Sequence, residues 1–440
     1  MRFSLDVLPA HKGDCLMLHY GTEEDPRLML IDGGPAKVYG PHLEPRIKQV
    51  HAAWNLEPSD PLPVDVILVS HIDDDHIRGI IELTMDQLGN NPDLRLGVTS
   101  LWHNTFDDLL KAAPEGLLSG FGQASFAASA ARTAAFDDIE PDEDEDEEPI
   151  RQTIDVLASI SQGRQLRDDR ETLQKRSRAQ RQWKLNHKFG GDLIMAKAGS
   201  PPVLLDGGLK ITVIGPMQDE LEALQAAHDK WLREHNEGKK SPEAMLAAFV
   251  DKSVPNLSSI VVLAELEGKS MLLTGDARGD RILQGLKLVD LLDAEGNRSI
   301  DVLKVPHHGS DNNMEPCFFE RLPAKHYVFS GDGEHGNPER ATLKMLLDAR
   351  GVDAEYTIHF TYRIDAIDER RKADWEKEQK KEKRRKQRNP KSKKPVRDNW
   401  SPEINSLAKF FEENPEFLKK VSIVKPDEPH FIHLFDKVKL

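Results

Sequence analysis

The sequence predicts an α/β protein in which two sheets lie face to face with helices on both outer sides, an αββα sandwich with a helical insertion and a C-terminal extension. Three observations predict it. Short apolar runs of strand length recur through residues 1–360 and are joined both by tight turns and by helical stretches, a mixture that suits two sheets better than one parallel sheet. Several of these runs end on Asp or His beside a glycine, so polar chemistry gathers at strand ends. Composition breaks twice, at a polar, Ala-rich stretch over 106–198 and at a basic tract near the C-terminus.

In chain order, "RFSLDVL", "CLMLHY" and "RLMLIDGG" read as three strands. A helix-like stretch leads to "VDVILVSH", whose unbroken apolar run is that of a strand buried on both faces. Ile77, Ile80, Ile81 and Leu83 then recur at helical spacing, and "VTSLWHN" is the next strand. From about Phe106 to Ala198 the pattern is helical and polar, interrupted by "DDIEPDEDEDEE" (Asp137–Glu148), which has ten acids and no base. This predicts an insertion with a flexible acidic loop and a long amphipathic helix, not a separate β domain. Strands resume at "LKITVIGP", and a charged helix is predicted over Asp219–Glu237. "SSIVVLAELEGKSMLLTGDA" is a hairpin turning at Glu267-Gly268-Lys269. Helix "RILQGLKLVDLL", strand "DVLKVPHHGS", helix "EPCFFERL", strand "HYVFSG" and helix "ERATLKMLLDAR" complete a domain over 1–360. Strands "EYTIHF" and "HFIHLF" flank the basic segment 370–397 of a C-terminal extension, 361–440; that segment carries fifteen Lys/Arg against four acids, and Trp375 and Trp400 are candidates for stacking on bases.

At 440 residues the chain can bury a sizeable core. A net charge of −15 does not suggest a protein that coats nucleic acid, but it averages over the acidic and basic tracts. Cys15 and Cys317 are the two cysteines and form no CxxC, which argues against a disulfide framework or a cysteine metal site. No signal-like or membrane-spanning run is apparent, so a soluble cytoplasmic protein is expected.

The densest chemistry is "SHIDDDHIRG", Ser70–Gly79, directly after the buried strand. One of Asp73, Asp74 and Asp75 would suffice to cap the following helix, and capping leaves His71 and His76 unexplained. A metal site explains both. Other strand ends offer further ligands: Asp32 in "LMLIDGG", Asp276 in "MLLTGDA", and His307 and His308 in "VLKVPHHGS". Any one of these is an ordinary turn residue; their coincidence is the signal. His103, at the end of "LWHN", lies either near this site or as a partly buried surface histidine.

The set "LIDGG", "SHIDDDHIRG", "LLTGDA" and "VPHHGS", with "LPAHKGDCLML" as a GQGD-type first turn, resembles the metallo-β-lactamase-fold hydrolases. Within them it is most similar to the metallohydrolase domain of ComEC-type DNA-uptake proteins. The resemblance covers residues 1 to about 350 and implies two divalent ions. His71 and Asp73 would bind one, Asp75 and His76 the other; Asp276 would bridge them and His308 would be a further ligand. His307 would meet substrate or stand just behind the ligands, and Asp32 would hold the ligand loop by hydrogen bonds; His103 is a candidate for such support from its strand-end position alone. Asp73 stands where the broad family has histidine, a change that the ComEC-like branch shares. The strand "KITVIGP" ends without the later histidine of the wider family.

A carboxylate in place of an imidazole hardens the site toward Mn²⁺ or Mg²⁺ without excluding Zn²⁺. Such a pair of ions suits a phosphodiester, so the resemblance implies a metal-dependent nuclease, with DNA a better candidate than RNA. Asp75 or Asp276 would accept the proton of the attacking water, and His307 would steady a phosphoryl oxygen. Ser310 and Lys304 are candidate phosphate contacts, and the basic segment is a candidate tether. The alternatives are a small-molecule phosphodiesterase, an ester or lactone hydrolase, or a partner-dependent effector subunit that recruits protein through the insertion or extension.

Overall fold

The structure, a computed structural model, describes residues 1–89, 94–104, 147–176, 182–222, 258–391, 394–425 and 428–438, the side chains of 147–161 and of Asn313 excepted. The acidic run up to Asp146 and most of the charged helix predicted over Asp219–Glu237 lie outside these residues.

The first sheet is built from β1 (Arg2–Val7), β2 (Leu16–Gly21), β3 (Pro26–Ile31), β4 (Leu62–Leu68), β5 (Leu96–Trp102) and β6 (Lys184–Leu185). The second holds β7 (Val203–Leu204), β8 (Lys210–Gly215), β9 (Val261–Leu266), β10 (Lys269–Leu273), β11 (Ile300–Lys304), β12 (Ala324–Phe329), β13 (Thr357–Phe360) and β14 (Val421–Ile423) in reverse spatial order. The last strand, β15 (Phe431–His433), returns to the first sheet and pairs antiparallel with β1. Both sheets are mixed. β1 to β3 form an antiparallel meander and β3 to β6 run parallel; β7 to β10 are antiparallel and β10 to β14 parallel. Glu267 and Gly268, at φ 47° and 75°, close the β9–β10 hairpin where the sequence places it.

Strand alternation decides which side chains meet. Phe3, Leu5, Leu16, Leu18, Met29, Val66 and Leu68 of the first sheet pack against Val262, Ala264, Met271, Leu273, Val302 and Val328 of the second, a core between the sheets. Met17, Leu28, Leu30, Ile67 and Val69 face the other way, onto α1 (Glu44–Ala53), α2 (Asp74–Leu88) and α3 (Glu147–Arg176). Likewise Leu263, Leu272, Leu303, Tyr327, Ile358 and Phe360 meet α4 (Gly279–Leu288), α5 (Pro316–Arg321), α6 (Arg340–Arg350) and Ile367 of α7 (Ile364–Arg388). Three apolar cores between four layers make an α/β sandwich of helix, sheet, sheet and helix.

The insertion supplies α3, whose Leu166 and Leu173 join the core that holds Ile77, Ile80 and Ile81 of α2, and the edge strand β6. Through β14 and β15 the extension adds an edge strand to each sheet. Trp375 and Trp400 face each other at 6.0 Å across the seam between α7 and the returning chain, so the pair is used internally. Among the described residues no helix is long and apolar enough to cross a membrane.

Candidate metal centre

β3 and β4 are parallel neighbours, as are β10, β11 and β12, so the turns after their carboxyl ends open at common edges of the two sheets. Asp32, His71, Asp276 and His307-His308 all stand in such turns. "SHIDDDHIRG" is the passage from β4 into α2, and the side chain of Asp73 makes no capping hydrogen bond there. A Cβ on Gly79 would lie 2.0 Å from the carbonyl oxygen of Gly33, so glycine at both positions lets the "LIDGG" turn touch the helix. Hydrogen bonds from Gly33 N to His76 O (2.7 Å) and from Gly79 N to Gly34 O (2.9 Å) hold that approach. Asp32, His307 and His308 adopt left-handed backbone, at φ 55°, 46° and 53°, a conformation costly for side chains of this size and concentrated at functional sites.

His71, His76, Asp276 and His308 are buried and converge. The carboxylate of Asp276 is their common member, and its two oxygens face different groups. Oδ1 lies 3.2 Å from His76 Nε2 and 3.5 Å from His308 Nε2. Oδ2 lies 3.7 Å from His71 Nε2 and 3.6 Å from His307 Nε2. Asp75 reaches the first group, 3.8 Å from both His76 Nε2 and His308 Nε2, and Asp73 the second, 3.7 Å from His71 Nε2. Two ligand atoms about 2.1 Å from one ion at a tetrahedral angle stand about 3.4 Å apart, so these spacings are compatible with ligands around cations.

The imidazoles are oriented from behind. Asp32 accepts from His76 Nδ1 (2.9 Å), from Ser70 N (2.7 Å) and from Ser70 Oγ (2.7 Å), and Ser70 Oγ in turn accepts from His71 Nδ1 (3.0 Å). Ser330 Oγ accepts from His308 Nδ1 (2.8 Å) and donates to Asp14, which Lys304 Nζ also contacts at 2.7 Å. With every Nδ1 proton committed, the lone pairs fall on Nε2 and aim at Asp276. None of those three buried Nε2 atoms makes a hydrogen bond of proper geometry among the described residues, which is the state of a nitrogen placed for a metal.

The electrostatics agree. Burial opposes ionisation of Asp276, yet His76, His307, His308 and His71 hold its carboxyl well below the usual range. Burial, with His76, pushes His71 down to about 3, so its ring stays neutral, the form a metal ligand needs. Burial also works against protonation of His76, but Asp276, Asp32 and Asp75 outweigh it and raise its pKa well above the ordinary value. The field that draws a proton to His76 also draws a cation, and the two compete for one lone pair. His71, Asp75 and His76, and separately His76, Asp276 and His308, each offer three ligand atoms within 4.8 Å of one another.

No protein-family model matches the chain, and no curated protein matches it. Among solved structures it is similar to a protein from Parabacteroides distasonis provisionally named a metal-dependent hydrolase, at 11% identity over 81% of this chain and 98% of that one. The TM-score is 0.29, too slight an overlap to argue from.

The remaining candidates fall into two sets. His307, with a side chain 33% exposed, stands with Asp73 and Asp75 on the open side. His103 is buried rather than at the surface, its Nε2 3.8 Å from the Cβ position of Gly163 on α3, which also borders Ile72. Lys304 is buried and its ammonium is held by Asp14 and by the Val305 carbonyl oxygen (3.0 Å), so its observed work is to hold Asp14 rather than to meet a substrate. Ser310 is likewise buried, its amide bonded to His307 O. Sequence reasoning assigned no role to Asp14, Ser70 or Ser330. The strand-end rule that found Asp276 applies equally to Ser330, which directly follows β12.

Proposed function

We propose that this protein is a metal-dependent hydrolase of the metallo-β-lactamase type that holds two divalent ions and cleaves phosphodiester bonds of nucleic acid, DNA in preference to RNA. The observation that carries the reading is the two-sided Asp276 carboxylate, with His76, His308 and Asp75 around Oδ1 and His71 and Asp73 on the side of Oδ2. Those two groups would each hold one ion. Bound divalent ions supply Lewis acidity, lowering the pKa of water and offsetting charge on a phosphoryl group. Three carboxylates in the donor set favour hard ions such as Mn²⁺ or Mg²⁺ and leave Zn²⁺ acceptable.

The chain's own groups divide the remaining work. Asp75, partly open, accepts the proton of the attacking water. His307 donates a hydrogen bond to a phosphoryl oxygen from the open side. Lys12, in the field of Asp75 and 3.4 Å from Glu334, adds a cation at the rim where a phosphate would enter.

The test is cleavage of circular single-stranded and supercoiled DNA by purified protein with Mn²⁺, Mg²⁺ or Zn²⁺, beside Asp276→Ala. Metal-dependent nicking or degradation that the variant lacks is the expected result. Absence of cleavage by protein shown to be metal-loaded would overturn the nuclease reading in favour of a small-molecule ester or phosphodiester.

A further inference from the structure

The basic segment is a built arm, rooted beside the metal centre. Arg370 pairs with Asp332 at 3.0 Å, and the buried Arg371 donates to Gly336 O (2.9 Å) and Asn405 O (2.6 Å). Asp332 and Gly336 belong to the loop that begins at Ser330, the residue that holds His308. Farther out, the returning chain is fastened to one face of α7: Trp375 Nε1 donates to Asp398 O (2.9 Å), Gln379 Nε2 to Arg397 O (2.9 Å), and Glu382 pairs with Arg397 at 3.0 Å.

The opposite face is different. Lys377, Lys380, Arg384 and Arg388 follow one another at i, i+3, i+7 and i+11, so they form a single stripe along the helix. All four are exposed, and none forms an ion pair or hydrogen bond among the described residues. At 1.5 Å per residue the stripe is about 16 Å long, the span of about five phosphates along one DNA strand. Elsewhere, exposed cations such as Lys344, Lys419 and Lys425 are paired with carboxylates on their own helices or turns. A protein with net charge −15 thus carries an unpaired cationic rail on the same helix whose Arg370 and Arg371 are fastened to the loop that begins at Ser330.

We propose that this rail is the docking surface for a nucleic-acid backbone and holds the strand on the approach to the site. The choice of nucleic acid among polyanions rests on the hydrolase reading above; the docking itself does not depend on turnover. Phosphates lie along the stripe of Lys377, Lys380, Arg384 and Arg388, and the bases do not stack on Trp375 or Trp400, which are already packed against each other.

The experiment is binding of a fluorescent 20-nucleotide single-stranded DNA by the full chain in EDTA, so that cleavage plays no part. Wild type is compared with K377Q/K380Q/R384Q/R388Q and with K287Q/K344Q/K419Q/K425Q, which removes the same charge elsewhere. The rail variant should bind about tenfold more weakly near 0.1 M salt, and its dependence of log K on log salt should flatten by about 0.7 for each phosphate no longer neutralised. The control variant should bind as wild type does. Equal weakening in both charge variants, no binding by wild type, or binding to anionic vesicles in preference to the oligonucleotide would overturn the proposal. Strong binding in EDTA by a protein that cleaves no DNA once loaded with Mn²⁺, Mg²⁺ or Zn²⁺ would instead count against the nuclease reading alone.

Discussion

Among the described residues stand two clusters of histidine, and they are built in opposite ways. In the first, His71, His76 and His308 each commit Nδ1 to a hydroxyl or carboxylate behind them and leave Nε2 aimed at Asp276. In the second, His326 on β12, His359 on β13 and His430 ahead of β15 bond to one another: His326 Nδ1 to His359 Nε2 at 3.1 Å, and His359 Nδ1 to His430 Nε2 at 2.8 Å. Both nitrogens of the central ring are spent on its two neighbours. The difference teaches that grouped histidines do not make a metal site. Convergent lone pairs around a shared carboxylate are what makes the first cluster a candidate, whereas a chain of imidazoles fastens β15, and with it the edge of the first sheet, to the second.

The sharpest way to break that comparison is to remove one ring from each cluster. His308→Ala should lose more metal affinity than the 10–100-fold that removing a supporting residue typically costs, which is about 10²-fold or beyond, while His359→Ala keeps its metal. Metal content by elemental analysis after dialysis reads both. Retained metal in His308→Ala, or loss in His359→Ala, would contradict the division. Asp32→Asn tests the support behind the ligands. It preserves shape but weakens the acceptor for His76 Nδ1, Ser70 N and Ser70 Oγ, so metal affinity should fall about 10–100-fold with the fold intact. Competition with a fluorescent chelator measures it; an unchanged affinity would mean that the ring's orientation is set by packing alone.

The contrast also shows what could be seen in the sequence. Buried strands that end in ligand-type residues are legible, because an apolar run, a charged residue and a glycine stand next to one another, as in "LLTGDA" and "VPHHGS". The two-sheet architecture followed from the same runs and from the turn at Glu267-Gly268. Pairings between strands far apart in the chain were not legible. Asp14 and Ser330 are separated by 316 residues, and the charge of Lys304 gives no sign that its partner is Asp14 rather than a phosphate. The histidine chain spans residues 326 to 430 and leaves no local pattern. Nor does a charge run announce which of its cations are taken up: Arg371 looks in sequence like Lys377 or Arg384 but donates to Asn405 O of the returning chain, and Arg397 is paired with Glu382 of α7.

The smallest effect belongs to pH and separates the two clusters without touching a ligand. Burial, reinforced by His430 and His326, holds His359 well below its ordinary pKa of 6.5, so the folded state keeps it neutral while the unfolded chain titrates normally. Below about pH 6.5 the unfolded state therefore binds more protons, and stability is lost progressively as pH falls. That single group lowers the thermal midpoint as pH falls from about 6.5 toward 5, by a few degrees at most in a chain this long. His71 adds acid sensitivity of the same sign, so absolute slopes do not discriminate. The difference does: His359→Phe should start less stable at pH 7.5, because His326 and His430 lose their shared partner, yet fall less than wild type between pH 7.5 and 5. Thermal unfolding in chelator at the two pH values measures it, and parallel losses in both proteins would show that the imidazole chain stays intact when protonated.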